Sequence, residues 1–192
     1  MSNVSAPFGF RWIGDISSGQ QNGMVNGYII PSTDSANYFV GDPVKSTGTG
    51  AQDPVSQMYF PTVTLGTAGV GTNSRGVIVG FRIDPTNLNV TYGVGSTTRI
   101  ALVADQPYAK FIIQSNGTAA ITDFGGNANF ASGSGSTITG LSGFVLDESS
   151  FATTDAQLRI LWPYPTTNNT LGLYTQYVVM FNDHEFKTTS GN

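Results

Sequence analysis

Short runs rich in Val, Ile, Phe, Tyr and Thr recur along the chain, and clusters of Gly, Pro, Asn and Asp separate them. Apolar runs of about four to eight residues between turn-forming clusters are typical of β-strands. Helical periodicity is nearly absent. The pattern therefore predicts an all-β fold, either a β-sandwich or a jelly-roll or barrel-like domain of many short antiparallel strands. The predicted strands span residues 24–30, 36–40, 57–65, 76–83, 88–94, 98–104, 110–114, 117–122, 137–146, 157–162 and 174–182.

Turns are predicted where Asp or Asn stands close to Pro or Gly, because these residues favour tight backbone reversals. Asn-Gly is also a strong signal for a two-residue hairpin. Two Gly- and Ser-rich segments, 66–76 and 125–137, are predicted to be loops. The one helix that the pattern allows is short and runs from Asp147 to Gln157, with Asp147 as its N-cap. The predicted turns are Gly41-Asp42-Pro43, Asp53-Pro54, Asp84-Pro85, Asp105-Gln106-Pro107 and Asn116-Gly117.

The N-terminal segment has an alternating pattern of its own. Phe8, Phe10 and Trp12 are separated by single residues, so in an extended conformation their rings lie on one face. We predict an extended N-terminal arm over residues 1–14 and a single β-rich domain over residues 15–192. Such an arm becomes ordered only on a ready-made surface, either as an edge strand of its own sheet or on a neighbouring subunit by strand addition. The predicted contact residues are Pro7, Phe8, Phe10, Arg11 and Trp12.

Charge is scarce in this chain. Asp, Glu, Lys and Arg make up 10% of the residues, against about 25% in ordinary soluble domains. This composition favours a subunit that is packed in an assembly over a free monomer. The net charge of −4 argues against nucleic acid as a partner, because phosphate binding needs clustered Lys and Arg.

Membrane insertion is not expected either. No apolar run approaches the roughly 18 residues that a membrane span needs, and the N-terminus lacks the features of a secretory signal. We therefore expect no membrane partner, and we expect the protein to be made and kept in a cytoplasm until it assembles.

Residues with catalytic or metal-binding potential are few. The chain has no Cys and a single His, His184, which excludes multi-histidine metal sites and Cys-ligated zinc. On a predicted strand, Asp183 and His184 point to opposite faces and cannot form the orienting pair of a triad. Asp183 and Glu185 then share a face at about 7 Å, a separation near that of glycosidase carboxylates. We interpret this pair as the solvated face of the strand, and the His as a solvated or turn-bonding residue.

Two other groups of side chains have alternative interpretations. Asp42, Asp53, Asp84 and Asp105 lack the spacing of a calcium loop, so they are expected to stabilise turns. Aromatic residues near the C-terminus could stack on sugar rings, but in a β-sandwich they more often fill or cover the core; these are Trp162, Tyr164 and Tyr174. We thus predict no catalytic residue, no cofactor and no metal site.

Several short segments, read in chain order over nearly the whole length, carry a resemblance to a known family. They are Ala6-Pro7-Phe8-Gly9-Phe10-Arg11, Tyr38-Phe39-Val40-Gly41-Asp42-Pro43-Val44, Arg75-Gly76-Val77-Ile78-Val79-Gly80-Phe81, Ala101-Leu102-Val103-Ala104-Asp105-Gln106-Pro107, Phe111-Ile112-Ile113-Gln114-Ser115-Asn116-Gly117, Gly143-Phe144-Val145-Leu146-Asp147, Leu158-Arg159-Ile160 and Val178-Val179-Met180-Phe181-Asn182-Asp183-His184. In this order they resemble the head decoration, or cement, proteins of tailed bacteriophages. The chain departs from that pattern at Trp12-Ile13-Gly14, where the family has a second Pro, and in its longer Gly- and Ser-rich insertions.

The resemblance implies a non-enzymatic virion protein on the outer capsid surface. Such a subunit forms a homodimer or homotrimer, bridges major capsid protein subunits and stabilises the shell. An alternative is a tail-fibre or host-glycan-binding module of the same virion. A third class, a small polysaccharide hydrolase, would need its Asp and Glu residues gathered in one aromatic-lined groove.

Overall fold

The computed structural model describes residues 3–16, 24–69, 71–85, 87–152 and 154–188, and within these ranges the chain is all-β, as predicted. The residues outside these ranges are 1 and 2 of the predicted arm, 70 of the first predicted loop, 153 of the predicted helix, and 17–23, 86 and 189–192 of the predicted domain. The strands are β1 (Arg11–Asp15), β2 (Asn26–Ile30), β3 (Pro43–Gln52), β4 (Tyr59–Leu65), β5 (Gly76–Phe81), β6 (Arg99–Ala104), β7 (Ala109–Gln114), β8 (Asn127–Ala128), β9 (Phe130–Ala131), β10 (Val145–Leu146), β11 (Leu158–Pro163) and β12 (Gln176–Phe181). Single 3-10 turns occur at Ile121–Asp123, Glu148–Ser150 and Glu185–Lys187.

Five of the strands close into a small barrel in the order β2-β4-β3-β5-β6. All neighbours in it are antiparallel except β2 and β4, which pair in parallel where Ile29 faces Thr62. Side chains that point inward fill the barrel, since an interior of this size holds a packed core. They are Tyr28, Ile30, Tyr38, Val44, Val63, Ile78, Ala101 and Val103.

A second antiparallel sheet has the order β1-β7-β12-β11-β8, and β9 and β10 form a separate two-stranded sheet. The larger core cluster gathers residues of these strands and is rich in aromatic rings. Its largest members are Phe10, Phe111, Phe130, Phe144, Tyr177 and Phe181.

Strands β5 and β6 connect the barrel with this second core. Ile78 and Val103 point into the barrel cluster, whereas Val77 and Ala104 belong to the sheet cluster. Because successive strand residues point to opposite faces, both strands are buried on two sides. This explains why their sequences, GVIVGF and RIALVA, are nearly continuous apolar runs without polar alternation.

Several sequence predictions are confirmed by the strands, and others are wrong. The apolar runs correctly predicted seven strands to within a few residues at each end, namely β2, β4, β5, β6, β7, β11 and β12. The predicted strand at 88–94 is absent, and only Gly93 makes a bridge, to Tyr38. The predicted strands at 36–40 and 117–122 likewise reduce to isolated bridges, and only Val145–Leu146 of 137–146 is a strand.

The turn and helix predictions had mixed outcomes. Asn116-Gly117 does not close a hairpin, because Ser115 bridges Leu146 whereas Thr118 bridges Leu173. Asp147 does cap a helical turn, accepting a hydrogen bond from the Ser149 backbone N–H at 3.2 Å, but the turn ends after Ser150. The predicted loop at 125–137 contains β8 and β9.

Strand β3 was not predicted at all. Its sequence, PVKSTGTGAQ, is mostly polar, and its second half is exposed. Cross-strand threonine contacts stabilise it instead: the hydroxyl groups of Thr49 and Thr62 lie 2.9 Å apart, and Thr62 also donates to the Thr49 carbonyl at 3.0 Å. Threonine pairs of this kind are a known source of sheet stability that hydrophobic patterning does not reveal.

Candidate functional site

The N-terminal arm lies on its own sheet along its described length. The Asn3 side chain donates hydrogen bonds to two carbonyls of the loop at 170–173, at 2.7 and 2.9 Å. The buried side chain of Gln114, on β7, accepts from the Ala6 N–H at 2.9 Å and donates to the Val4 carbonyl at 3.0 Å. Two positions were predicted for the arm, and in the structure it docks on its own domain.

Phe10 belongs to the core of this domain. It is 2% exposed, and its ring packs edge-on against Phe111 and Phe130, at centroid distances of 6.0 and 5.8 Å. The preceding Gly9 has a φ of +70°, and a Cβ atom there would lie 2.4 Å from the Ser142 Cβ. Gly9 is therefore required for the chain to turn inward, and the Phe10 side chain does not reach the surface in this conformation.

The remaining predicted contact residues lie at or near the surface. Pro7 and Arg11 are exposed, and Phe8 and Trp12 are half-buried. The Arg11 guanidinium lies 4.6 Å from the Phe8 ring centroid, a cation–π arrangement. Trp12 faces Phe111 across the β1–β7 pair and packs against the sheet core. Gly9 turns the chain between Phe8 and Phe10, but Phe8, Phe10 and Trp12 still line the same groove.

An apolar groove of about 370 Å³ opens beside the arm. Its lining comes from the arm, from β5 and from two loops, and consists of Phe8, Phe10, Arg11 and Trp12, of Ile78 and Val79, and of Val40 and Leu141. Among the residues that the structure describes, β1 lies at the edge of its sheet and pairs only with β7. A bulge at Ile13 interrupts the β1–β7 register, and such bulges are common in edge strands.

An edge strand next to an apolar groove is the arrangement that proteins use to bind an extended peptide by strand addition. The sequence indicated the arm residues of this groove through their alternation. It gave no signal for Val40 or Leu141, because tertiary contacts bring those loops to the arm.

The carboxylates near the C-terminus do not form the predicted solvated face. Strand β12 ends at Phe181, and a 3-10 turn begins at Glu185, so the strand geometry assumed for Asp183 and Glu185 does not exist. Glu185 instead forms an ion pair with Arg75, at 2.7 Å from Oε2 to Nε, and accepts from the Ser46 N–H at 2.7 Å. Both of its carboxylate oxygens are therefore engaged within the fold.

His184 is 1% exposed, so the prediction of a solvated side chain is wrong. Its Nδ1 accepts a hydrogen bond from the Phe186 N–H at 3.1 Å, which confirms the turn-bonding role. Burial lowers the pKa of His184 to about 4, because the charged imidazolium is costly in this apolar setting. Its neutral form therefore prevails at physiological pH.

The aspartates of the predicted turns each have a separate structural partner. Asp53 caps its turn by accepting from the Ser56 N–H at 2.8 Å. Asp84 pairs with Arg99 at 2.6 Å, and Asp105 accepts from the Tyr28 hydroxyl at 2.6 Å.

Asp42 accepts from the Phe39 N–H at 2.8 Å, and burial raises its pKa to about 6. In the described part of the chain, no group of three or more His, Asp or Glu side chains could hold a metal ion. The same residues include no helix that is long and apolar enough to cross a membrane.

The C-terminal aromatic residues do not fill the core. Trp162, on β11, is 44% exposed, and Tyr164 and Tyr174 are half-buried. Of the two roles expected of these residues, that of filling the core is therefore wrong. They lie at one end of the second sheet, and the role of covering the core there stays a prediction.

Comparisons of the chain with family models, with curated proteins and with solved structures find no match.

Proposed function

We propose that this chain is a non-enzymatic structural subunit of a virion. More specifically, we propose that it decorates and cements the outside of a tailed-phage icosahedral capsid, where it bridges major capsid protein subunits as a homodimer or homotrimer. The protein would be made in the bacterial host cytoplasm and become part of the outer capsid surface. In this proposal, its partners are the major capsid protein and other copies of itself, with no nucleic acid, membrane or cofactor involved.

The observation that carries the proposal is the apolar groove beside the edge strand β1. A protein that acts as a free monomer gains nothing from an accessible sheet edge flanked by apolar side chains, and such edges are usually blocked. The low charged fraction of 10% supports the same interpretation, because the central part of protein interfaces is depleted in charge. The resemblance of several segments, in chain order, to head decoration proteins is the reason for proposing a phage capsid as the assembly.

Large apolar side chains at the tips of loops and hairpins add to this support. Tyr59, next to the β3–β4 turn, is 77% exposed, and Ile138, in the long loop before β10, is 92% exposed. Each such contact would be weak by itself. An oligomer that engages several capsomers at once gains affinity through effective concentration, so weak contacts suffice.

The runner-up function is a tail-fibre or host-glycan-binding module. The exposure of Trp162 favours it, because an accessible indole ring can stack on a sugar. This module would be equally β-rich and equally free of catalytic residues. The two functions differ in the number of copies that a particle needs.

The test is quantitative mass spectrometry of purified particles, comparing this chain with the major capsid protein. A copy number in the hundreds, near that of the major capsid protein, is the expected result. A handful of copies would overturn the decoration proposal and favour the tail module. Particles that lack the chain but keep full resistance to heat would overturn the cementing role even at high copy number.

A further inference from the structure

The groove beside the arm continues along β5. A second depression, of about 230 Å³, shares Val40 with it and runs past Gly80 and Phe81. A third, of about 100 Å³, shares Arg82 and Arg99 with the second and reaches Pro85. The three together, which we call the β5 groove, follow the chain from Ile78 to Pro85. This stretch of about eight residues spans roughly 25 Å when extended.

Three arginines and two aspartates line the β5 groove. Arg11, Arg82 and Arg99 line it, although the whole chain has only 8 Lys and Arg and a net charge of −4. Arg82 and Arg99 are paired with Asp53 and Asp84. Arg11 forms no ion pair with any residue that the structure describes, which leaves the groove with an excess of one positive charge.

One donor in the β5 groove is buried and unsatisfied. The Arg99 side chain is 8% exposed, and its NH1 contacts Asp84 at 2.6 Å. Its Nε has no hydrogen-bond partner among the described residues. Buried donors of this kind are rare, and each one needs an acceptor. The atom is closed to solvent, so an acceptor in the groove reaches it only when the side chains around it move.

Exposed apolar side chains border the same groove. Leu141 stands at the end near the arm, and Leu88, Val55 and Ile83 stand at the far end; the last three are at least 70% exposed. The surface thus combines apolar side chains, an excess of positive charge and the edge strand β1. An extended peptide with alternating apolar and acidic residues matches all three, because its backbone can pair with an edge while its side chains alternate between faces.

We infer that the β5 groove binds an extended, acidic and apolar segment of the protein to which this subunit attaches. The inference deepens the proposed function, since in a phage head that segment would belong to the major capsid protein. Its apolar side chains would pack against Phe8, Trp12 and Val79, and its carboxylates would face Arg11 and Arg82. The backbone would add to the sheet at β1.

The test uses the full chain and a fluorescein-labelled ten-residue peptide of alternating Val and Glu, with fluorescence anisotropy as the readout. A peptide in which Lys replaces every Glu is the charge control. We expect the Glu peptide to bind at least about fivefold more tightly than the Lys peptide, and less tightly as salt is raised. Methylation of every backbone nitrogen of the peptide is expected to abolish binding, because strand addition requires free N–H groups on the pairing edge and alternate methylation would leave one edge intact.

Variants of the chain locate the site. Leu141→Glu places a negative charge in the groove at an exposed position, and Arg82→Glu reverses a half-exposed charge; each is expected to weaken binding of the Glu peptide about fivefold or more. Arg159→Glu is the matched control, because Arg159 is exposed on β11 outside the groove, and it is expected to leave the affinity unchanged. Circular dichroism checks that each variant is folded.

Each of the following results would overturn the inference: equal binding of the Glu and Lys peptides, full binding of the N-methylated peptide, or equal losses in Leu141→Glu and Arg159→Glu. No binding of either peptide would overturn it as well. The particle copy number is measured independently, so a chain that fails the peptide test but is abundant on particles would leave the proposed function standing without this groove.

Discussion

Replacing Phe10 by Ala should destabilise the protein by about 4 kcal/mol. Phe10 is 2% exposed and packs against three rings, of which Phe181 is the nearest at a centroid distance of 5.3 Å. Truncation of a buried Phe to Ala costs about 3 to 5 kcal/mol in transfer and cavity terms. Each lost ring contact contributes about 0.5 to 1.5 kcal/mol within that range. Since domains have total stabilities of about 5 to 15 kcal/mol, this single change removes a large fraction.

The assay is urea denaturation of the purified chain at several protein concentrations, with Phe8→Ala as the control. Phe8 is half-buried, and its best contact is the cation–π interaction with Arg11, so its truncation should cost only about 1 kcal/mol. We expect the loss of stability in each variant, relative to the wild type, to be independent of protein concentration, because the arm docks on its own domain. Equal, small losses in both variants, or a Phe10→Ala effect that grows on dilution, would refute the placement of Phe10 in its own core.

Three further predictions concern buried polar groups. Burial raises the pKa of Asp42 from 3.8 to about 6 and lowers that of His184 from 6.5 to about 4. As the pH falls from about 6 to 4, the raised Asp42 pKa therefore increases the free energy of unfolding and the lowered His184 pKa decreases it. Asp42→Asn should raise the free energy of unfolding by up to about 3 kcal/mol at pH 7, and the variant should lose stability more steeply than the wild type as the pH falls. Urea titrations at pH 7 and pH 4 measure both effects. Parallel pH profiles of variant and wild type would contradict this. Glu185→Gln should lower the free energy of unfolding by about 3 kcal/mol in the same assay, because it leaves the Arg75 charge buried without its partner. A loss below about 1 kcal/mol would show that the ion pair is effectively solvated. Gln157→Ala removes side-chain hydrogen bonds to the Gly-rich loop after β4, at 2.8 and 2.9 Å. Amide hydrogen exchange in that loop should become faster while β12 stays protected. Unchanged exchange in the loop would contradict the role of this side chain.

The sequence was sufficient to predict the fold class because most strands of the barrel and the second sheet are apolar runs. Strands such as β6 and β7 are buried on at least one face, and burial selects the Val, Ile, Leu and Phe residues that the pattern detects. The Asp53-Pro54 turn was also predictable, because the Asp side chain satisfies the backbone of its own turn.

Other elements could not be predicted from local sequence. Strand β3 depends on threonine contacts with β4, and β8 consists of two residues whose partner, β11, is about thirty positions away. The lining of the groove could not be predicted either, because Val40 and Leu141 reach it through loops whose positions depend on the whole fold. The burial of His184 depends likewise on where β12 ends, which the apolar run in the sequence did not mark.

The alternation of Phe8, Phe10 and Trp12 shows why a sequence pattern can identify a contact segment without identifying what it contacts. Strand addition within one chain and strand addition between two chains bury the same side chains and use the same backbone hydrogen bonds. In this structure, the left-handed backbone of Gly9 and its close approach to Ser142 accompany an arm that is docked on its own domain. Once the arm is docked, its rings contribute to the domain's own stability, and β1 becomes the edge at which a further strand can be added. The intramolecular docking of the arm therefore builds the surface on which we propose that a partner binds.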